Sequence, residues 1–529
     1  MKKKFISLLL VLPLLLGCGS NDDVSVEEHI PFDYTPTLPT YKDKSNGAIK
    51  EDDTYVYFDF YEISDFHGAV DYSASETPES GMLGLERLST YYDYKRNDNV
   101  GGTILLSGGD MWQGTADSNI TRGNLITYSM NIMNFSSMTL GNHEFDWTLD
   151  WIKNNKDRAT FPFLAANLID KSTNKRADFV DSSTIVTREE YKIGIVGTIG
   201  ENIKSSIIAS AVENYEFAKE VDTVKSEAEK LREEGCQIVV WSSHNDISYL
   251  KSIIGITDIG VDLIFGGHSH TTYVDQITFG DKVVPMLESK DKGRSLPHAT
   301  LKVNKTTKEV SPVDGYSCDT TPTSSEYAVD EDIKFIYDQY KENYINPSKE
   351  RYMGKLEGDM DVENPQLAAN LATEVMYNKV KDVYPNITCY ASFTNVNGGI
   401  RGSLKSGSIT YGDIYNVFPF DNEIVIMQTT GSKLLGYCSS GVTSTLKNAA
   451  HYQTIGKSSN INKNDKYYFI TTDYLASHTS YFANDDGETT IYTKINVRDA
   501  VAEYFKKKGT IKASDYETSK KVEFGGPSL

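Results

Sequence analysis

The chain has 529 residues, too many for a single hydrophobic core, and with 39% hydrophobic and 24% charged residues it has ample material for two or three domains. That composition excludes wholesale disorder and fibrous repeats. Acidic residues outnumber basic ones 74 to 53, a formal charge of −21; a field of that sign repels phosphate backbones and excludes a nucleic-acid polymer as a high-affinity partner, but not a small phosphorylated substrate, because a bound metal inverts the local potential.

Residues 1–18 read MKKKFISLLLVLPLLLGC. Lys2, Lys3 and Lys4 precede an apolar run from Phe5 to Leu16, which is too short for the ~20 residues that a membrane-spanning helix needs. The run ends in Leu15-Leu16-Gly17-Cys18 and resembles a bacterial lipoprotein signal with its lipobox. The resemblance implies cleavage before Cys18, lipid attachment to its thiol, and an extracytoplasmic protein anchored to a bacterial membrane. Residues 19–50 are polar and contain proline, as expected of a tether. Cys236, Cys318, Cys389 and Cys438 are scattered without C-x-x-C spacing, so neither a zinc–thiolate site nor a disulfide framework is indicated.

From residue 55 onward, short apolar, β-branched runs alternate with helix-like stretches, the pattern of an α/β domain. Tyr55–Ile63 (YVYFDFYEI) leads into Asp65 and His67. Gly84–Tyr94 reads as a helix, and Thr103–Leu106 (TILL) leads into Gly108-Gly109-Asp110. Next comes Gly141-Asn142-His143-Glu144-Phe145-Asp146, followed by a charged helix over Val221–Glu234. Ile238–Trp241 (IVVW) precedes His244, and Val261–Phe265 (VDLIF) precedes Gly266-Gly267-His268-Ser269-His270. Five of the nine histidines thus fall in four short segments, most of them just after a strand. Ligands of α/β sheets bind beyond the carboxyl ends of the strands, so these residues stand where a site is expected.

The collected groups are carboxylate, imidazole and one carboxamide, a donor set suited to Zn, Mn, Fe, Co or Mg. Seven candidate ligands exceed the needs of one tetrahedral ion and suit two ions sharing a carboxylate. A single histidine after a strand means little; five ordered segments leave little room for coincidence.

Composition shifts after about residue 320. Thr320–Glu326 reads as a linker and Asp330–Tyr344 as an exposed connecting helix. Beyond residue 350 the chain lacks clustered ligand candidates but carries Asn397-Gly398-Gly399-Ile400-Arg401 and, further on, Phe418-Pro419-Phe420-Asp421. An arginine can fork onto a phosphate, and an aromatic face can stack a base.

The ordered series D-x-H, G-G-D, G-N-H-E-F-D, S-H-N and G-G-H-S-H resembles the calcineurin-like metallophosphoesterases, and more narrowly the secreted 5′-nucleotidase / UDP-sugar hydrolase / 2′,3′-cyclic phosphodiesterase family. The implied α/β fold is a sandwich of two mixed sheets flanked by helices, over residues 51–319. A linker with a connecting helix (320–349) and a second α/β domain of the 5′-nucleotidase C-terminal type (350–529) follow. The resemblance implies two divalent ions. One is held by Asp65, His67, Asp110 and His270, the other by Asp110, Asn142, His244 and His268, with Asp110 as the bridge. His143 and Asp146 resemble the family's catalytic pair, serving in-line attack by metal-bound hydroxide on a phosphate ester. Asn397, Arg401 and Phe420 resemble its substrate-binding residues, and Phe482 takes the place of a second stacking aromatic in a segment that has lost the family's glycines. Trp147-Thr148 stands where the family has an aromatic residue and glycine. The implied function is hydrolysis of nucleotides. Cyclic-nucleotide phosphodiesterase or UDP-sugar hydrolase activity are alternatives on the same scaffold, and a non-catalytic surface-binding lipoprotein is a distant one.

Overall fold

The computed structural model describes residues 34–73, 81–207, 211–320, 327–396, 399–440, 450–453, 461–477, 482 and 490–517. Strand Tyr55–Ile63 is alternately buried at its start and wholly buried at its end, because it enters between a sheet partner on each edge and packing layers on both faces. It runs parallel to Thr103–Ser107, which pairs in parallel with Ser137–Thr139, and antiparallel to Ser295–Asn304. Phe163–Leu164, Val310–Pro312 and Ser317–Thr320 complete this mixed seven-stranded sheet. A second, six-stranded mixed sheet runs in the order Tyr273–Phe279, Lys282–Glu288, Leu263–Gly266, Ile238–His244, Tyr191–Ile199, Ser183–Arg188.

The two sheets meet through Phe58, Phe60, Ile104 and Leu106 on one side and Ile193, Ile195, Val240, Leu263 and Phe265 on the other, all 0% exposed. Burying each such side chain is worth roughly 1.5–3 kcal/mol, so this layer contributes strongly to the stability of the first domain. Helices Glu220–Glu233 and Ile247–Ile254 cover the far face of the second sheet through Val224, Ala228, Leu231, Ile247 and Leu250. The second domain has a five-stranded sheet centred on Lys466–Thr472. Helices Gln366–Val383 and Val497–Lys508 contribute to the core that packs against it. Cys236, Cys389 and Cys438 are buried and Cys318 half-buried, and none of the four is in a disulfide. Among the described residues no helix is long and apolar enough to cross a membrane.

Two expectations change. The connecting helix is docked rather than exposed: Glu331–Tyr340 continues through a π-turn, Lys341–Ile345, into Asn346–Lys349. Ile333, Ile336, Tyr337 and Tyr340 are buried, and the Tyr337 hydroxyl lies 2.8 Å from an Asp71 oxygen and 2.7 Å from an Asp117 oxygen, with one proton to share between them. The apolar spacing at 333, 336, 337 and 340 is that of an amphipathic helix, and it finds a partner in helix Asn124–Met133. The expected tether also ends early, because residues 48–50 are tied to the first domain. The Gly101 N–H donates to the Ala48 carbonyl (3.0 Å), Tyr57 N–H to the Lys50 carbonyl (2.9 Å), and Lys50 N–H to Asn99 Oδ1 (2.7 Å). Cys18, Asn397 and residues 321–326 lie outside the described residues.

Candidate metal centre and catalytic pair

The carboxyl ends of parallel strands from both sheets converge on one edge of the sandwich. Tyr55–Ile63 delivers Asp65 and His67, and Thr103–Ser107 delivers Asp110. Ser137–Thr139 delivers Asn142 and His143, Ile238–His244 ends on His244 itself, and Leu263–Gly266 delivers His268 and His270. Five of these residues, Asp65, His67, Asp110, His268 and His270, have positive φ values between 49° and 74°. Non-glycine residues rarely adopt this conformation, so surrounding contacts must hold it, and such strain concentrates at functional sites. Gly141 gives Asp110 its room: a Cβ there would lie 2.2 Å from Asp110 Oδ1.

The donors fall into two groups, Asp65–His67–His270 and Asp110–His244–His268, the atoms of each lying within 4.8 Å of one another. In the first, His67 Nε2 lies 3.1 Å from His270 Nε2, which is 3.4 Å from Asp65 Oδ1. In the second, His244 Nε2 lies 3.2 Å from Asp110 Oδ2, and Asn142 Oδ1 is 3.1 Å from His244 Nε2 and 2.9 Å from His268 Nδ1. The far nitrogens explain the orientation. His67 Nδ1 is 2.9 Å from the Gln113 carbonyl and His244 Nδ1 is 2.7 Å from that of Gly108. Each carbonyl demands an N–H, which leaves Nε2 with its lone pair directed inward.

The electrostatics agree with this donor role. Burial pushes His67 and His268 down to about 4, so both imidazoles are neutral at physiological pH. His244 is different: burial opposes its charge, but Asp110 outweighs burial and lifts it to about 10. A cation entering there must displace a proton, so binding should release protons and strengthen as pH rises. Nearly buried donors, two carboxylates close by and lone pairs pointing inward fit a pair of divalent cations.

His143 belongs to neither group. Its Nδ1 lies 2.8 Å from Asp146 Oδ2, and its backbone N–H donates to Asp110 Oδ1 at 2.8 Å. Burial opposes its charge, but Asp146 and Asp110 overcome this and hold it up to about 9, which favours the imidazolium–carboxylate pair. Thr148, in the family's glycine place, has φ 172°, extended backbone that any residue adopts.

Three buried carboxylates of the site are not among the residues that the sequence picks out as functional. Glu144 accepts backbone N–H bonds from Gly141 (2.7 Å), Asp110 (2.8 Å) and Met111 (2.9 Å), fastening the loops that carry Asp110 and Asn142 to each other. Glu288 accepts from Ile247 N–H and the Ser269 hydroxyl, and Glu220 from Thr198, Ser243 and Asn245. Glu144 at least stands inside the G-N-H-E-F-D motif; nothing local distinguishes the other two.

Facing this edge from the second domain, the Phe420 ring is half-buried, 6.3 Å from the His143 ring and inclined by 28°, and the Arg401 guanidinium lies 5.3 Å from the Phe420 centroid. Phe482 does not join them. It is 1% exposed in the core of the second domain, with ring centroids 5.0 Å from Phe469, 5.4 Å from Tyr437 and 6.2 Å from Phe393. Burial among aromatics leaves no open face for stacking, and the expected second stacking residue is corrected accordingly.

Asp473, in the second domain, is 4% exposed, and burial pushes its carboxyl up to about 7. The fold therefore favours its neutral form. That stabilisation is complete below the unfolded value near 4, is lost as pH rises through about 7, and amounts to at most ~4 kcal/mol. Asp473→Asn is expected to reduce the loss of stability between about pH 5 and pH 8, measured by urea denaturation of metal-free protein at both values; an unaltered difference would contradict it.

Residues 58–272 match the family model described as calcineurin-like phosphoesterase, and residues 353–458 the one described as 5′-nucleotidase, C-terminal domain. A 5′-nucleotidase of Vibrio parahaemolyticus is 27% identical over 447 residues, covering 73% of this chain and 75% of that one. Among solved structures, a 5′-nucleotidase precursor from Thermus thermophilus superposes with a TM-score of 0.67 at 19% identity, covering 86% of this chain and 97% of that one. A Thermus thermophilus sulfate thiohydrolase, SoxB, shares the fold with a TM-score of 0.60 at 16% identity, covering 90% of this chain and 96% of that one. The chain is a metallophosphoesterase-type hydrolase that joins a calcineurin-like phosphoesterase domain to a 5′-nucleotidase C-terminal domain.

Proposed function

We propose that this protein is a lipid-anchored, extracytoplasmic 5′-nucleotidase-type enzyme that hydrolyses nucleotide phosphate esters at a two-metal centre. The observation carrying the reading is the juxtaposition of two largely buried donor groups, a His143–Asp146 pair outside both, and an aromatic ring from the second domain 6.3 Å from His143. Asp65, His67, Asp110 and His270 would hold one ion; Asp110, Asn142, His244 and His268 would hold the other, with Asp110 shared. When bound, two divalent ions supply charge for the phosphoryl oxygens and an activated nucleophile. The chain's own groups do the rest. His143, kept protonated by Asp146, donates a proton from Nε2 to the departing ester oxygen, while Asp146 fixes the ring through Nδ1. Arg401 attracts the anionic substrate, and Phe420 offers its face to the base.

The nucleotide reading also draws on the relatives named 5′-nucleotidase. Anchoring at Cys18 and export rest on Lys2–Lys4, the apolar run and Leu15-Leu16-Gly17-Cys18. Detergent-phase partitioning of the wild type, lost in Cys18→Ala, checks the anchor. The activity is tested by phosphate release from AMP, UDP-glucose and 2′,3′-cyclic AMP with Mn, Co, Zn or Mg; absence of metal-dependent hydrolysis of all three would sink it. Phe420→Ala should raise KM for AMP by roughly 5- to 150-fold, the equivalent of ~1–3 kcal/mol of base stacking, with kcat less affected. Unchanged KM would place the base elsewhere.

A further inference from the structure

The turn that presents Phe420 is gripped from both domains. Asp421 is bound by the guanidinium of Arg498 in its own domain and by that of Arg122 in the phosphoesterase domain. Arg498 is 2% exposed, and its other terminal nitrogen lies 3.2 Å, 3.3 Å and 3.4 Å from the carbonyl oxygens of Phe418, Pro419 and Phe420. From the first domain, Asn119 Nδ2 donates to the Pro419 carbonyl at 2.8 Å. Arg122 is itself held in place. It has φ 50°, its carbonyl accepts from Asn155 Nδ2 at 2.8 Å, and its guanidinium lies 5.3 Å from the ring centroid of Trp147, the residue after Asp146. Burial alone would raise the Asp421 carboxyl; the two guanidiniums reverse this and keep it ionised far below the ordinary carboxylate range.

One arginine is enough to neutralise one carboxylate, and Arg498 already does so within the second domain. The pairing with Arg122 exists only while the turn rests on the first domain, so it adds registry rather than charge balance. We propose that Asp421 is a positioning residue: through Arg122 it sets the Phe418–Asp421 turn against the His143–Asp146 segment, and so governs recognition of the nucleoside without governing phosphoryl chemistry. The nucleoside part rests on the nucleotide reading above.

Arg122 is the residue to vary, because removing Asp421 strands the buried charge of Arg498. Arg122→Ala and Arg122→Lys in the full chain, loaded with Mn, are compared on AMP and on p-nitrophenyl phosphate, whose good leaving group needs little positioning. Arg122→Ala should lower kcat/KM for AMP at least tenfold, chiefly through KM, leave the p-nitrophenyl ester within twofold, and be partly rescued by Arg122→Lys. Unchanged AMP kinetics, or equal losses on both substrates, would overturn the proposal. Hydrogen exchange needs no turnover: the amides of Phe418, Phe420 and Asp421 should exchange at least tenfold faster in Arg122→Ala, and unchanged protection would overturn the registry itself. A wild type that cleaves the nitrophenyl ester but not AMP would instead refute the nucleotide reading and leave the exchange result to decide the registry.

Discussion

His143→Ala is expected to lower kcat by about 10²–10⁴-fold, the range of a lost general acid, while the metal content of the purified protein stays near that of the wild type. The reason is positional. His143 touches both donor groups through its backbone and through its ring contact with His67, 5.3 Å between centroids, yet contributes no atom to either. Metal analysis together with kinetics therefore separates a catalytic role from a ligand role. The pH profile gives a second check. The reactive form is protonated, present at low pH and lost as pH rises through the folded value, about 9 without metal. Two nearby cations lower that value, so the alkaline limb of kcat should fall at or below pH 9 and disappear in His143→Ala. Asp146→Asn removes the charge that raises it and should move the limb down by about one to three pH units. A limb unmoved by either substitution would assign the titration to another group.

Asp110→Ala should do more damage, because on the proposed reading it removes a metal ligand rather than a proton donor. The carboxylate lies 3.2 Å from His244 and also accepts the His143 N–H, and its charge acts on His67 and Asp65 in the neighbouring group. Loss of an outer-sphere partner typically costs ~10–100-fold in metal affinity or activity, and loss of a shared ligand should exceed that. Metal content should drop below that of the wild type after dialysis, and activity should not return on adding back Mn or Zn at concentrations that restore chelator-treated wild type. Full recovery would mean that Asp110 is not a shared ligand. In the same variant His244 loses the partner that lifts it to about 10 and should titrate at lower pH, a change visible by NMR of the metal-free protein.

Much of the site is legible in the amino-acid sequence, because its chemistry is written locally. A buried strand leaves an apolar, β-branched run, and a functional turn leaves glycine beside aspartate or histidine. Boundaries differ mainly where polar residues continue a strand: Ile238–Trp241 extends through His244, and Thr103–Leu106 through Ser107. Ser137–Thr139, which carries Asn142 and His143, is three residues long and has no apolar run, so its existence depends on pairing with Thr103–Ser107 and Phe163–Leu164. The docked helix Glu331–Tyr340 shows the opposite limit. Its amphipathic spacing is present in the chain, but a stripe of apolar residues does not say which surface it will cover.

Residue order carries the inventory: seven donors and a His–Asp pair at strand ends, a second domain with an aromatic–arginine motif, and a negative chain whose attraction for anions must be local. The partnerships come from packing. His67 and His270 come within 3.1 Å although 203 residues separate them, and Arg122 meets Asp421 across 299. Packing also sorts two aromatic residues by environment, leaving Phe420 half-buried beside His143 and sinking Phe482 into the core. The physical reason is the range of the forces. Backbone periodicity and turn chemistry act over a few residues and leave a mark in the chain, whereas strand order, lobe contact and burial are set by the packing of distant segments.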